Sequence, residues 1–166
     1  DLDFHPILTQ KQVWITNKGT EGSGGSTVTF WNAGLPSQTS ELKKDGNAWH
    51  FMSLPTAIAF SENTNFATAP GVKDANHSGG TLTGPTLWSS DMDIYAEPSG
   101  GNGSHLDMLH QSPFSMGIAA WKDNAFFVFC DYHGYIHMYD FQEDHGPGND
   151  DHSDGKVWEY IDFDVN

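Results

Sequence analysis

The sequence contains no arginine and carries little positive charge. Its 166 residues have 7 basic groups, all lysine, against 22 acidic groups, for a formal net charge of -15 at neutral pH. Arginine supplies the planar fork that pairs with phosphate and guanine, and an acidic surface repels phosphate. We therefore do not expect nucleic acid as a partner, and an anionic membrane surface would repel the chain as well.

Long hydrophobic runs and cysteine pairs are also missing. The longest apolar run, residues 125–130, is far shorter than the ~20 residues of a spanning helix, so no membrane insertion is expected in this segment. The lone Cys130 cannot form an internal disulfide. No serine-hydrolase elbow, phosphate loop or dinucleotide fingerprint occurs. The acidic, glycine-rich composition with six tryptophans favours a secreted or periplasmic protein.

Helical periodicity is nearly absent, whereas alternating or β-rich segments recur. They cover residues 12–17, 26–31, 57–60, 125–130 and 135–141, and turn-forming Gly, Asn, Ser and Pro clusters separate them. This pattern predicts an all-β fold with less than about a tenth of its residues in helix. Residues 57–60 and 114–119 are expected to be among the most buried.

The β-rich segments form an internal repeat. Ser112-Pro113, Ile118-Ala119 and Asp123-Asn124 match Leu54-Pro55, Ile58-Ala59 and Glu62-Asn63, and an earlier copy begins near Leu2. The repeat predicts three modules of four antiparallel strands, approximately residues 1–47, 48–103 and 104–166. Four-stranded modules of about 40 to 50 residues are typical of propeller blades.

This arrangement resembles the six-bladed β-propellers of the NHL-repeat class. The resemblance lies in the inner strand at Ile118-Ala119, the aromatic strand that ends at Asp131, and the turn at His133-Gly134 into the next strand. It is also distantly similar to the peptidyl amidating-lyase propellers. The resemblance implies about three blades of a probable six, hence a partial propeller over residues 1–166.

Three blades cannot close a ring, because the first and last sheets would each leave an apolar face open. We therefore expect the sequence to be the N-terminal half of a longer protein, or to be completed by another copy or chain. The partners implied are the remaining propeller blades or another chain that completes the ring.

Blade geometry implies that several histidines meet near the propeller axis, where the amidating-lyase propellers hold zinc. The predicted metal ligands are His50, His105, His110, His133 and Asp131, and the ion would be zinc or copper. His77 occupies the equivalent turn of the second module. For each histidine taken separately, the alternative is an imidazole that is hydrogen-bonded in a loop. Cys130 is interpreted as a packing residue in an aromatic strand.

A second cluster, residues 144–155, is rich in acidic side chains and is expected on the opposite face. Asp144, Asp150, Asp151 and Asp154 could form a calcium site, although residue 161 is isoleucine where an EF-hand loop would have its glutamate. The alternative is a solvated turn loop.

Three functions follow as hypotheses. The first is an extracytoplasmic metal-binding propeller module that presents a His/Asp cluster to a small ligand or a protein. The second is a metal-dependent lyase or hydrolase similar to the amidating lyases, in which Asp131 or Tyr132 moves a proton. The third is a structural interaction platform within a larger assembly.

Overall fold

Three four-stranded antiparallel sheets make up the fold. The computed structural model describes residues 1–75, 82–97 and 101–161. The first sheet contains β1 (Leu2–Phe4), β2 (Val13–Asn17), β3 (Ser26–Trp31) and β4 (Thr39–Lys43). The second contains β5 (Pro55–Phe60), β6 (Phe66–Pro70), β7 (Thr86–Trp88) and β8 (His105–Met108), and the third contains β9 (Ser115–Lys122), β10 (Ala125–Cys130), β11 (Tyr135–Asp140) and β12 (Lys156–Tyr160).

The predicted all-β class is confirmed, since 42% of the described residues are in strands and 5% are helical. Within the described ranges the helical elements are two 3₁₀ turns, Leu8–Gln10 and Trp49–Met52. None of the helices described there is long and apolar enough to cross a membrane. Closure of these sheets into a propeller stays a prediction.

In each sheet the strands lie side by side in chain order. The boundary between the second and third sheets differs from the expected position at residue 104. His105 pairs with Trp88, and Asp107 with Leu87, so β8 is the outer strand of the second sheet. The first strand of the third sheet begins only at Ser115. The repeat of Ile-Ala segments located the first strands of the sheets but not their short fourth strands.

The second sheet is packed between the other two, and each of its faces contributes to a separate core. One core joins it to the third sheet, chiefly through Ala59, Ala67, Phe126 and Tyr139. The other joins it to Trp14 of the first sheet through Phe66 and Trp88, with Tyr95 against all three rings. Because strand side chains alternate between faces, a strand covered on both sides is apolar throughout. This accounts for the burial of residues 57–60, which is confirmed.

The first strands of neighbouring sheets are joined by polar contacts. The Asp3 carboxylate accepts a hydrogen bond from the Phe60 backbone N–H at 2.8 Å. On the other side, the Thr56 hydroxyl donates to the Ser115 carbonyl. These bonds satisfy backbone groups of β5 and β9, which a sheet edge would otherwise leave unpaired.

The outward faces of the first and third sheets are both apolar. On the first sheet, cross-strand partners bring together Leu2, Phe4, Val13, Ile15, Val28, Phe30 and Leu42. On the third, the partners are Gly117, Ala119, Phe127, Phe129, Ile136, Met138, Trp158 and Tyr160. Several are well exposed, including Phe4 at 61% and Trp158 at 42%.

This exposure makes the predicted burial of residues 114–119 wrong for most of that segment. Ser115 is buried, but Met116 is 57% exposed and Ala119 is also exposed. The physical reason is that β9 belongs to the last sheet of the stack, where nothing in the described part of the chain covers its outward face.

Candidate metal centres

The acidic loop, residues 144–155, leaves the third sheet and packs on β8 of the second. The His145 N–H donates to the Leu106 carbonyl at 3.1 Å, and the Gly148 N–H donates to the His105 carbonyl at 2.8 Å. Gly146 permits this approach, because a Cβ there would lie 2.6 Å from the His105 carbonyl oxygen. The expectation that this loop lies on the face opposite to the His105 segment is therefore wrong. The unpredicted cause is that β8 offers backbone carbonyls to the loop.

Asp107 of β8 is fully buried beneath this loop. Its Oδ1 lies 2.7 Å from His152 Nδ1 and accepts the Met108 N–H. Since a carboxylate only accepts hydrogen bonds, His152 Nδ1 carries the proton in this pair. The other oxygen, Oδ2, is buried and has no hydrogen-bond partner among the described residues. A buried anionic oxygen without a donor is costly unless a cation neutralises it.

Two loop side chains complete a group around that oxygen. His145 Nδ1 lies 3.5 Å from Asp107 Oδ2, and His145 Nε2 lies 3.4 Å from Asp154 Oδ1. His145 Nδ1 and Asp154 Oδ1 are also buried without hydrogen-bond partners in the described structure. One ligand atom from each residue lies within 4.8 Å of the others, so Asp107, His145 and Asp154 could hold a metal ion. We call these three residues the Asp–His group.

The other predicted calcium ligands make different contacts. Asp144 accepts hydrogen bonds from Asn65 Nδ2 and Asn124 Nδ2. Asp150 accepts one from Asn102 Nδ2, and Asp151 accepts the Ser153 N–H. Of the four acidic residues of the calcium hypothesis, only Asp154 belongs to the Asp–His group. Asp144 and Asp150 therefore connect the loop to other parts of the chain, Asp151 makes only a local contact, and Asp154 lies in the Asp–His group.

A second group lies at the end of the third sheet, where β10 turns into β11. Cys130, His133 and His137 each offer one ligand atom, and these atoms lie within 4.8 Å of one another. We call these residues the Cys–His group. Cys130 and His137 are fully buried, and His133 is half-buried. The two imidazole rings are nearly parallel, at an angle of 5° and a centroid distance of 5.5 Å.

A buried tyrosine fixes the tautomer of His137. Tyr139 Oη donates to the His110 carbonyl at 2.8 Å and lies 3.1 Å from His137 Nδ1. Because the phenol proton is directed to the carbonyl, Nδ1 of His137 donates to Tyr139 Oη and Nε2 keeps its lone pair. That Nε2 is buried without a hydrogen-bond partner in the described ranges. Burial lowers the pKa of His137, so the neutral imidazole that a metal requires is favoured.

Of the predicted metal ligands, only His133 belongs to either group. His50 and His105 both contact the ring of Phe51, with centroids 3.9 Å and 4.3 Å from that of Phe51. His105 also lies near His152, the hydrogen-bond partner of Asp107, with ring centroids 6.0 Å apart. Burial is the main cause that lowers the pKa of His105.

The remaining predicted site residues surround the Cys–His group. The carbonyl of His110 accepts the Tyr139 hydroxyl, whereas Asp131 and Tyr132 lie on the exposed β10–β11 turn. Lys73 Nζ lies 5.4 Å from the Tyr132 ring centroid. His77 lies outside the described residues. A metal site built from His50, His105, His110, His133 and Asp131 stays a prediction.

Sequence reasoning missed Cys130 and His137 as ligands. The signal was present in the spacing Cys130-x-x-His133-x-x-x-His137, which places a thiol and two imidazoles on one tight hairpin. The Asp–His group had no comparable local signal, because Asp107 lies on β8, far from the loop in sequence.

A third cluster contains His5 and Ser90 but lacks the arrangement of a nucleophile and its base. His5 Nδ1 accepts the Ile7 N–H, so the ring proton is on Nε2, which lies 3.1 Å from Ser90 Oγ. A base must instead accept the hydroxyl proton at that nitrogen. In this arrangement His5 is a donor to Ser90, which is a structural contact.

The described chain is thus an all-β protein with two groups of side chains that could each hold a metal ion. No family model, curated protein or solved structure matches it.

Proposed function

We propose that this chain is an extracytoplasmic metal-binding module of the β-propeller type, in which Asp107, His145 and Asp154 hold a zinc ion. One observation carries the proposal: Asp107 Oδ2 is fully buried, has no hydrogen-bond donor among the described residues, and lies in a group whose two other ligand atoms also have no partner there. A divalent cation would neutralise the two carboxylates and occupy the space between the three atoms.

The ligand types favour zinc over calcium. Calcium takes six to eight oxygen ligands, whereas this group contains an imidazole nitrogen and only two carboxylates. Zinc accepts both ligand types in a four-coordinate arrangement, with bonds of about 2.0 to 2.2 Å. Such bonds separate neighbouring ligand atoms by roughly 3.5 Å, close to the 3.5 Å between His145 Nδ1 and Asp107 Oδ2, and one ligand atom from each of the three residues lies within 4.8 Å of the others.

Three protein ligands would leave one position open on the ion. Asp154 is 34% exposed, so the open side faces solvent, while Asp107 closes the other side at 0% exposure. An open position can bind a carboxylate or another small anionic ligand, or a side chain of a partner protein. The hydrolase or lyase hypothesis would require the same open position with a bound water.

Titration calorimetry with zinc on protein stripped by a chelator tests the proposal. The titration uses a Cys130→Ser background, so that the Cys–His group does not contribute. We expect one zinc per chain, and Asp107→Asn should weaken binding by about 100-fold or more, because it removes a charged ligand without changing its size.

Asp151→Asn is the matched control, since Asp151 is an exposed aspartate of the same loop. It should bind zinc as the background does. If Asp107→Asn binds zinc with unchanged affinity, the proposed site is wrong. The proposal also fails if the stripped background protein binds no zinc.

A second candidate function, the interaction platform, is favoured by the two apolar outward faces at the ends of the sheet stack. Faces with side chains as exposed as Phe4 and Trp158 are typical of association surfaces. Further sheets of the same type, from a longer polypeptide or another chain, would cover them and complete a ring. Light scattering after size-exclusion chromatography checks this, and Phe4→Ser should reduce concentration-dependent association. A strictly monomeric chain at all concentrations would contradict association between copies.

A further inference from the structure

We infer that Cys130, His133 and His137 form a second, independent site for a thiophilic metal ion with a filled d shell, Cu⁺ or Zn²⁺. Two observations support this inference. The three ligand atoms lie within 4.8 Å of one another, and His137 Nε2 is fully buried and has no hydrogen-bond partner among the described residues. Metal bonds of about 2.0 to 2.3 Å require ligand atoms roughly 3.5 to 3.8 Å apart, so side-chain rotations that move the atoms by about 1 Å suffice.

The β10–β11 hairpin restricts the side chains of two of the ligands, His133 and His137. Cys130 ends β10 and pairs with Tyr135 at the start of β11. The rings of His133, Tyr135 and His137 are stacked, with angles of 10° and 12° between Tyr135 and its two neighbours. Because strand residues two apart share a face, Tyr135, His137 and Tyr139 line one side of β11. The stack restricts rotation of both imidazoles before any ion binds.

A hydrogen bond from His137 to Tyr139, outside the three ligands, orients the His137 imidazole. His137 Nδ1 donates to Tyr139 Oη, which is itself held by the His110 carbonyl and by Ser112 Oγ at 2.5 Å. A ligating imidazole usually donates its other ring N–H in this way, which fixes the ring and directs the opposite nitrogen to the metal. Tyr139 is therefore a positioning residue.

The thiol selects the class of ion. Sulfur and imidazole ligands together favour copper and zinc over magnesium or calcium, which prefer oxygen. Cys130 Sγ contacts the Pro113 carbonyl at 3.3 Å as a thiol donor. Binding would replace the S–H bond with a sulfur–metal bond and release one proton to solvent. Cu⁺ with one thiolate and two neutral imidazoles would be uncharged, whereas Zn²⁺ would leave one positive charge.

Cobalt titration of the reduced, metal-free chain tests the site, because a thiolate bound to Co²⁺ gives a near-ultraviolet charge-transfer band. The band should saturate at one equivalent in Asp107→Asn and by two equivalents in the wild-type chain, where the Asp–His group also takes up cobalt, and it should be absent in Cys130→Ser. Competition by Zn²⁺, and anaerobically by Cu⁺ against a chromogenic chelator, then identifies the ion that binds more tightly.

Two further variants separate ligation from folding. His133→Ala changes a half-buried turn residue, so it should keep the circular dichroism spectrum of the wild-type chain while cobalt affinity falls by about 100-fold. Tyr139→Phe should keep the thiolate band and lower cobalt affinity by about 10-fold to 100-fold. The inference is overturned if no thiolate band forms, or if folded His133→Ala binds cobalt as tightly as the wild type. Neither outcome depends on Asp107, so the two metal sites succeed or fail separately.

Discussion

Asn65 Nδ2 lies 3.1 Å and 3.2 Å from the two carboxylate oxygens of Asp144. Asn124 Nδ2 lies 2.8 Å from the same carboxylate and also joins the β9–β10 turn to it. Asp144 thus connects the turns that precede β6 and β10 to the start of the acidic loop. This connection fixes where the loop begins, and so where His145 is directed.

Replacing Asp144 should loosen this connection. We expect Asp144→Ala to lower the free energy of unfolding by about 1 to 2 kcal/mol, because hydrogen bonds to a charged group are lost and the amides of Asn65 and Asn124 each lose one of their two acceptors. Urea unfolding measures the change. Asp151→Ala, at an exposed position of the same loop, is the control and should differ from the wild type by less than about 0.5 kcal/mol. Equal effects of the two substitutions would contradict the role given to Asp144.

Gly146 should be needed for the loop to reach β8. A Cβ at this position would meet the His105 carbonyl oxygen and Leu106 Cα, both at 2.6 Å, and backbone cannot move aside easily. Gly146→Ala should therefore displace the loop and weaken zinc binding at the Asp–His group by about 10-fold or more, as measured by calorimetry. Gly101→Ala is the control, since nothing lies within 4 Å of a Cβ there. Unchanged zinc affinity in Gly146→Ala would contradict the prediction that the loop needs glycine at this position to reach β8.

Two phenylalanines of β10 should differ in their effect on stability. Phe126 is fully buried between the second and third sheets, whereas Phe129 is 37% exposed on the outward face. Phe126→Ala should lower the free energy of unfolding by about 3 to 5 kcal/mol through the cavity it leaves. Phe129→Ala should cost less than about 1 kcal/mol in the monomer. Chemical denaturation of both variants at low protein concentration checks this. A loss of more than about 1 kcal/mol in Phe129→Ala would mean that the outward face of the third sheet is covered.

His5 should make stability depend on pH. Burial lowers the pKa of His5 below its ordinary 6.5, so below that pH the unfolded chain binds more protons than the folded chain. Stability should therefore be full above about pH 6.5 and should fall on acidification, by at most about 1.4 kcal/mol per pH unit for this group. Urea unfolding at pH 7.5 and 5.5, with chelator present, measures the slope.

The His5→Asn variant should lose this part of the pH dependence. Ser90→Ala keeps the histidine and removes only its partner hydroxyl, so it should keep most of the slope and serves as the control. If His5→Asn and the wild type have the same slope, His5 does not contribute.

Strand positions could be predicted where the pattern was local. Residues 125–130 were predicted as a strand and form β10, because aromatic and β-branched residues fit a pleated surface. The short strand β8 was missed, since its four residues are defined by pairing with β7 and not by periodicity. The burial of residues 114–119 was overestimated because burial depends on which sheet lies next to β9, and sequence pattern alone does not contain that information.

The candidate sites were predictable only in their chemistry. Histidine and aspartate between short strands correctly indicated side chains that could hold a metal ion, and His133 and Asp154 were among the residues chosen. The companions of Asp154 could not be chosen from sequence, whereas those of His133 are close to it in the spacing Cys130-x-x-His133-x-x-x-His137. Asp107 meets Asp154 only because the loop folds back on β8, and Cys130 is a ligand candidate only because the hairpin brings His137 beside it.

Because the acidic loop of the third sheet packs on the second sheet, ion binding at the Asp–His group depends on the docking of these two sheets. Asp107 belongs to the second sheet, and His145 and Asp154 lie in the loop between β11 and β12 of the third, so their ligand atoms converge only when the two sheets are docked. A ligand that binds only the docked state stabilises it, by about 2.7 kcal/mol at a free concentration 100 times its dissociation constant. With zinc at the Asp–His group, the interface between these sheets would strengthen or weaken with the metal supply around the protein.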